Sequence, residues 1–442
     1  MTTSTTEEPP AKPTASSSAA PAGRFGTFDS LTIRDFRLLL LGTTLSNAGQ
    51  WIQQVTLGWL VFELTGSGTA LGTMNLVRAT SAVGLAPLSG AIIDSVGRRT
   101  LMVLVNAWLL ITTLVVGLVL VLGGSELWYL LVFTFLAGIA QAIDMPLRQT
   151  IVFVLVPRHA ASNAVALIQT GWGLMRSIGP ALGGFLILAV GAGGNFLLQA
   201  VIYGVIAVNV MYIHFPPQPK VAERPPVLSQ MAEGLRFVRH SRVTRTFLVM
   251  GWVLPLLIVP VYVTLPPIYA EEVFGDPDKS NAGILGLLLA SAGVGGVFGG
   301  LVVASISSVD RRGLVQIAAL FLTCLSLVLF ALSTQLWLAL LLVAASGFFE
   351  MIFLTTNQTL MQLSIPDELR GRVTSITSLS MGLGPLGAFV AGVGSDLIGP
   401  QTITLVLCGI GCVVAVFVLL FVPTVRDYSM RAAVGRTVQP SV

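Results

Sequence analysis

The stretch GAIIDSVGRR, Gly90 to Arg99, sets one acid and two bases within six residues of a chain that is only 10% charged. Apolar runs lie on both sides, over 69–93 and 100–122. Each is long enough to cross ~30 Å of hydrocarbon at ~1.5 Å rise per residue. A compact polar turn between two such runs is what a membrane helical hairpin needs. The pattern recurs along the chain: of 442 residues 54% are hydrophobic and 46 are glycine, and mean hydropathy is +0.86. A soluble globular domain is ~25% charged and cannot hide this much apolar surface in one core. Glycine spread along apolar helices lets neighbouring helices approach closely. The runs are continuous rather than alternating, which argues against strands. The sequence therefore predicts an all-α, polytopic membrane protein.

Turn signals and charges divide the chain into twelve spans, near 36–63, 69–93, 100–122, 127–156, 163–190, 195–215, 246–270, 281–306, 313–333, 336–364, 373–396 and 401–423. Bases then orient them. With the N-terminus cytoplasmic, the inner loops hold Arg98, Arg99, Arg158, Arg311, Arg312, Arg370 and Arg372, and the outer loops hold Lys279. The positive-inside rule places both termini in the cytoplasm and the protein in the cell membrane. The net charge of +4 is explained by this topology, so no nucleic-acid partner is expected. Residues 1–33 read as a disordered Thr/Ser/Pro/Ala-rich tail, 34–215 as one six-helix bundle, 246–423 as a second, and 424–442 as a C-terminal tail. The linker, 216–245, opens with the Pro-rich PPQPKVAERPP; Leu228, Met231, Leu235 and Val238 then share one face of an amphipathic helix. Cys324, Cys408 and Cys412 lie in apolar runs and read as buried thiols, with no metal site and no cofactor.

The chain repeats itself. RQTIVFVLVP (148–157) is echoed by NQTLMQLSIP (357–366), and each is followed in the next span by Gly-Pro, GPALGG at 179–184 and GPLGA at 384–388. Two six-span halves in parallel orientation point to bundles that rock about a site near the midplane.

The opening stretch now gains a family. Gly90, Asp94, Gly97, Arg98 and Arg99 fit G-x-x-x-D-x-x-G-R-[RK] between the second and third spans. This resembles the signature loop of the major facilitator superfamily, and the SSVDRRG stretch between spans eight and nine is similar to a degraded second copy. DMPLRQ in span four, LVPRHAASNAVAL after it and IPDELRGRV before span eleven resemble the enterobactin-exporter and macrolide-efflux-like branch. GPALGG resembles the core of the motif of proton-driven exporters, although Met175 stands where that motif has glycine. The resemblance implies a proton-coupled exporter of small amphiphilic molecules such as siderophores or drugs, working by alternating access.

The residues suggest roles within that frame. Asp94 ends span two at the inner surface, where it can face the N-terminus of span eleven; Arg98, Arg99 and Arg372 can pair with it, so the loop with Gly90 and Gly97 is expected to latch the inner side. Gly179, Pro180, Gly183, Gly184, Gly384 and Pro385 are expected to make kinks or close helix packing. Gly295/Gly299 and Gly296/Gly300, at four-residue spacing in an apolar helix, read as packing positions rather than a nucleotide loop.

Arg78, Asp144, Arg148, Arg176 and Glu350 fall well inside the spans, each at a cost of ~2.5–3.5 kcal/mol at the bilayer centre, so they should face a cavity or one another. Asp144 and Arg148 stand at i,i+4, acid first; Arg176 falls at a depth similar to Asp144 and could pair with it. A structural salt-bridge cluster is the alternative reading. Glu350 has no evident partner in its own span and is the first candidate for proton coupling, Asp144 the second. A cavity wall is expected from Asn47, Gln50, Trp51 and Gln54 on span one, joined by Trp172, Asn357 and Gln358 and by Arg78, Arg148 and Arg176. Three arginines against two acids favour an anionic or aromatic small-molecule substrate, with protons and the lipid bilayer as the other partners and a monomer as the working unit. An importer on the same fold is the competing function. A membrane-embedded enzyme is a remote alternative, because His159, His214 and His240 all map to inner-surface regions.

Overall fold

A computed structural model of the chain describes residues 29–157, 160–216, 235–275, 281–305, 311–365 and 381–426. Eight helices are long and apolar enough to cross a membrane, and one of them, Asn163–Met211, holds two spans joined at Gly191. The more polar Arg34–Thr65 and Gly68–Ser95 and the short apolar Gly384–Ile398 bring the number to twelve among the described residues.

We label them α1 (Arg34–Thr65), α2 (Gly68–Ser95), α3 (Arg98–Val121), α4 (Leu127–Leu155), α5 (161–190), α6 (192–211), α7 (Arg242–Val273), α8 (Ala282–Ser305), α9 (Arg312–Leu332), α10 (Leu336–Leu363), α11 (Gly384–Ile398) and α12 (Pro400–Phe421). Two glycines set hard boundaries. Gly191 at φ 73° breaks the continuous run into α5 and α6, and Gly399 at φ 84° turns α11 into α12 just before Pro400. The span α7 is not a uniform helix. Pro255, Pro260, Pro266 and Pro267 remove backbone donors, and π-helical turns at Leu254–Ile258 and Tyr269–Val273 take up the disruption.

Helix pairing repeats with an offset of six. In the first half α2 packs on α4 and α3 on α6; in the second α8 packs on α10 and α9 on α12. Small residues make these contacts. A methyl built on Gly117 of α3 would lie 2.9 Å from the Leu197 side chain of α6, and Gly295 and Gly299 of α8 lie against Ala344 and Phe348 of α10. Those glycines therefore serve helix packing. Cys324 and Cys408 are buried and Cys412 is half-buried, all as free thiols. Residues 1–28, 217–234, Arg372 and 427–442 lie outside the described residues; against the expected tails, Asp29–Thr32 forms a 3₁₀ turn with Ser30 buried against Asn163, and Pro423–Arg426 is a short helix with Val425 buried. Of the linker, 235–240 is helical with Leu235 exposed and Val238 buried.

The ends of the molecule are conveniently named by charge: the basic end carries the loop of Arg98 and Arg99 together with Arg311, and the other is the opposite end.

Candidate functional site

The two halves meet along α2–α11 and α5–α8. A methyl built on Gly68 would lie 2.6 Å from the carbonyl oxygen of Gly392, and one on Gly72 2.7 Å from the Phe389 Cα. On the other seam, a methyl on Gly184 would lie 2.6 Å from the Gly286 Cα, and Ser177 Oγ donates to the Gly293 carbonyl at 3.1 Å. These approaches are backbone to backbone, so the halves are in direct contact from the opposite end to mid-depth. Farther along α2, among the described residues, nothing lies within 4 Å of a methyl on Gly84 or Gly90. The same holds for Gly173 on α5.

A carboxylate secures the closed end. Asp396, near the end of α11, accepts from the Gly68 N–H at 2.6 Å, the Thr69 N–H at 2.9 Å and the Ser67 hydroxyl at 2.7 Å. It therefore sits on the first turn of α2, where backbone donors have no helical partner and the helix dipole favours an anion.

At mid-depth a charge pair crosses between the halves. Arg176 of α5 donates through Nη2 to Glu350 Oε1 of α10 at 2.6 Å, with the Glu350 side chain 6% exposed. The Arg176 guanidinium stands 5.9 Å from the ring centre of Trp172, and Trp172 lies 6.4 Å from Trp51 of α1. Tyr262 of α7 donates to Ser346 of α10 at 2.7 Å, one helical turn from Glu350. On the side of the opposite end, a small pocket is lined by Trp51, Gln54, Gly58, Pro180, Tyr262 and Pro267. Aromatic faces, one amide and an intact ion pair thus converge where helices from both halves meet.

The structure places the other expected residues as follows. Asn47, Gln50, Trp51 and Gln54 are all half-buried on α1. Gly179 and Gly183 face α1, where a methyl on Gly179 would lie 2.7 Å from the Trp51 Cβ, while Gly184 faces α8; Pro180 lies inside the helix between them. Gly384 and Pro385 begin the regular part of α11 after a 3₁₀ turn at Met381–Leu383.

Others are corrected. Arg176 does not pair with Asp144 but with Glu350, so Glu350 has a partner that its own helix could not reveal. Asp144 and Arg148 do pair, at 2.7 Å, yet inside the first half rather than on the central cavity: Arg148 is 6% exposed and also reaches Thr43 and Asn106. Asn357 is turned into the second half, accepting from Gln316 at 2.6 Å, and not toward Trp51; Gln358 is exposed. Arg78 is half-buried and makes no ion pair among the described residues. In the signature loop Gly97 is the N-cap of α3 and Gly90 is exposed. Arg99 donates to the carbonyls of Met211 and Ile213 at 2.7 and 2.9 Å, so it closes the end of α6 within its own half instead of latching. Arg98 is half-buried; the Asp94 side chain and Arg372 lie outside what the structure describes.

Sequence reasoning missed Asp396 and Tyr262. A signal for the first existed: Asp396 stands at the end of α11 as Asp94 does at the end of α2.

A family of transmembrane secretion effectors matches residues 25–437. The chain belongs to that family of major facilitator transporters. Among curated relatives, the transporter is 27% identical over 380 residues to the staphyloferrin A transporter of Staphylococcus aureus (strain NCTC 8325 / PS 47), covering 84% of this chain and 92% of the relative. It is 26% identical over 416 residues to the multidrug efflux pump Tap of Mycolicibacterium fortuitum, covering 89% and 97%. A bacterial homologue of the human lysosomal transporter Spinster, solved inward-facing and unoccupied, superposes with a TM-score of 0.69 over 90% of this chain and 98% of its own, at 14% identity. That last likeness speaks for the fold. The chain is thus a multi-span membrane transporter, and enzyme function is set aside.

Proposed function

We propose that this transporter is a proton-coupled exporter of small amphiphilic molecules in the cell membrane, with the basic end and both termini cytoplasmic. Residues 1–28 and 427–442 act as cytoplasmic tails, and 216–245 links bundles 34–215 and 246–423 of a working monomer. The relative named as a multidrug efflux pump supports export over import.

The observation that carries the coupling is the Arg176–Glu350 pair. A carboxylate with little exposure is held by an arginine from the other half, at the depth where the halves come together. Its protonation removes the charge attraction and frees a guanidinium beside Trp172 and Trp51. A freed arginine with aromatic neighbours suits an anionic or aromatic substrate, because its planar fork pairs with carboxylates and stacks on rings. The proton breaks this bridge by taking Glu350 and the substrate by taking Arg176. In an antiporter the two do so in turn, the proton on the inward half of the cycle and the substrate on the outward half, and the bridge re-forms between them. Asp144 is the second carboxylate in the scheme. Asp94, with Arg98 and Arg372, latches the basic end when that end is closed.

Glu350→Gln in proteoliposomes tests this. Substrate binding is retained while transport driven by a pH gradient is lost. Unchanged gradient-driven transport in that variant removes Glu350 from the coupling.

A further inference from the structure

The seam between α1 and α6, inside the first half, holds polar groups that packing alone does not account for. On α6 the residues Asn195, Gln199 and Tyr203 stand at i, i+4 and i+8, and all three are fully buried. On α1 the facing positions are Thr56, Gln53, Gly49 and Ser46, buried in the same way. Three contacts fix the register. Asn195 donates to the Thr56 hydroxyl at 2.6 Å, a methyl on Gly49 would lie 3.4 Å from the Tyr203 hydroxyl, and Ser46 donates to Asp144 Oδ2 at 3.4 Å. Between the first and second contacts, helical spacing sets Gln53 opposite Gln199. The column runs ~15 Å from Thr56 to Ser46 at the rise of an α-helix.

Its polar atoms are unpaired in sequence. Among the described residues, Asn195 Oδ1, both side-chain polar atoms of Gln199, Gln53 Oε1, the Tyr203 hydroxyl and Asp144 Oδ1 are buried without a hydrogen-bond partner. A buried polar group left alone in an apolar interior is costly, and native structures satisfy nearly all of them, internal water included. Six such atoms in one seam are groups that ordered water would satisfy. Both ends of the column are informative. Asn195 directly follows the half-buried stretch 192–194 at the opposite end. Asp144 keeps Oδ1 free while Oδ2 is held by Arg148 and Ser46.

We propose that the α1–α6 seam is a hydrated path that carries protons from the opposite end to Asp144. A proton entering at Asn195 hops along water held by Gln53 and Gln199, and the amides orient that water without being protonated. Tyr203 accepts a proton on its oxygen and passes on its own, so it ends unchanged. The proton comes to rest on Asp144 Oδ1. The groups facing this carboxylate are Arg148 from α4, Ser46 from α1 and Tyr203 from α6, with Arg78 of α2 also in electrostatic range of the Tyr203 hydroxyl. Protonation releases Arg148 from its ion pair, leaving it to Asn106 and Thr43. This inference rests on the proton-coupled reading and adds a route to it.

Two measurements on the full chain decide it. The first is hydroxyl-radical labelling generated by X-ray pulses, which marks side chains next to internal water. Tyr203 should be oxidised well above Phe196, an equally buried aromatic on the same helix, and should fall to the Phe196 level in the Gln53→Leu, Gln199→Leu double variant. The second is transport driven by a pH gradient, with ethidium and salicylate as probes. Gln199→Leu should slow it at least ~tenfold, and Gln199→Asn, which keeps an amide, should restore most of the rate. Tyr203 labelled no faster than Phe196 overturns the hydrated path. Labelled Tyr203 with gradient-driven transport unchanged in Gln199→Leu overturns its role in proton delivery. A wild-type protein indifferent to the gradient overturns the coupling itself, and the labelling result is read separately from that.

Discussion

The two ends of the α2–α11 pair differ in a way that explains how the fold works. At the opposite end, Gly68 and Gly72 lie against the backbone of Gly392 and Phe389, and Asp396 closes the contact by binding the first turn of α2. At the basic end, Gly84 and Gly90 of the same helix face no described neighbour within 4 Å. The helices are antiparallel, and each carries a carboxylate near its own C-terminal end, Asp396 on α11 and Asp94 on α2; that of Asp396 lies where α2 starts. Asp396 is the carboxylate seen engaged among the described residues, and we propose Asp94 as its counterpart at the basic end. Opposed latches of this kind suit a protein that must close one end before opening the other.

The comparison can be broken most severely by bulk. Gly184→Leu and Gly68→Leu put a side chain where another backbone already lies, so the opposite end cannot close. Transport should fall more than ~100-fold with insertion unaffected, as a several-kcal/mol clash removes the closed state from the population. Gly90→Leu should abolish transport as well, but with the protein held in the form described above. Cross-linking of cysteines placed at Ser67 and Asp396 separates the two cases, persisting only in the Gly90 variant.

A smaller effect belongs to the latch itself. Asp396→Asn keeps the hydrogen-bonding shape but loses the charge at a helix N-terminus, which is worth ~1 kcal/mol at an exposed site, or about a fivefold shift in the balance of states. Transport assayed against salt should show the wild type approaching the variant as ionic strength rises. Smallest is Arg99→Ala, which loosens the end of α6 without touching either seam. A modest loss of thermal stability, with the substrate affinity unchanged, is expected.

Much of this architecture is legible in the sequence because membrane helices announce themselves by length, and turns by glycine, proline and charge. Expected spans such as 69–93 and 127–156 fall within a few residues of α2 and α4. GPALGG could be read as a seam because proline and small residues have few other uses in an apolar helix, although not that Gly183 faces α1 and Gly184 faces α8. What cannot be read is which helix stands opposite which. Periodicity puts Glu350 and Arg176 each on a face, but their meeting depends on how two halves dock across 174 residues of chain. The same limit sent Asn357 to the wrong wall and Arg99 to the wrong partner. Gln53 and Gln199 escaped notice because neither shares the face that Asn47, Trp51 and Gln54 make on span one, and a single amide off such a stripe carries little signal until its neighbours are known.

The claim that the two ends close in alternation is tested most directly by paired distance measurements with spin labels. One pair, at Thr65 and Gln401, reports the opposite end; another, at Ser95 and Gln362, reports the basic end. Asp396→Asn should lengthen the first distance and shorten the second in the same sample, with the populations of the two changes matching. If both distances move in the same direction, or the first lengthens while the second stays as in the wild type, the ends are not coupled and the account fails.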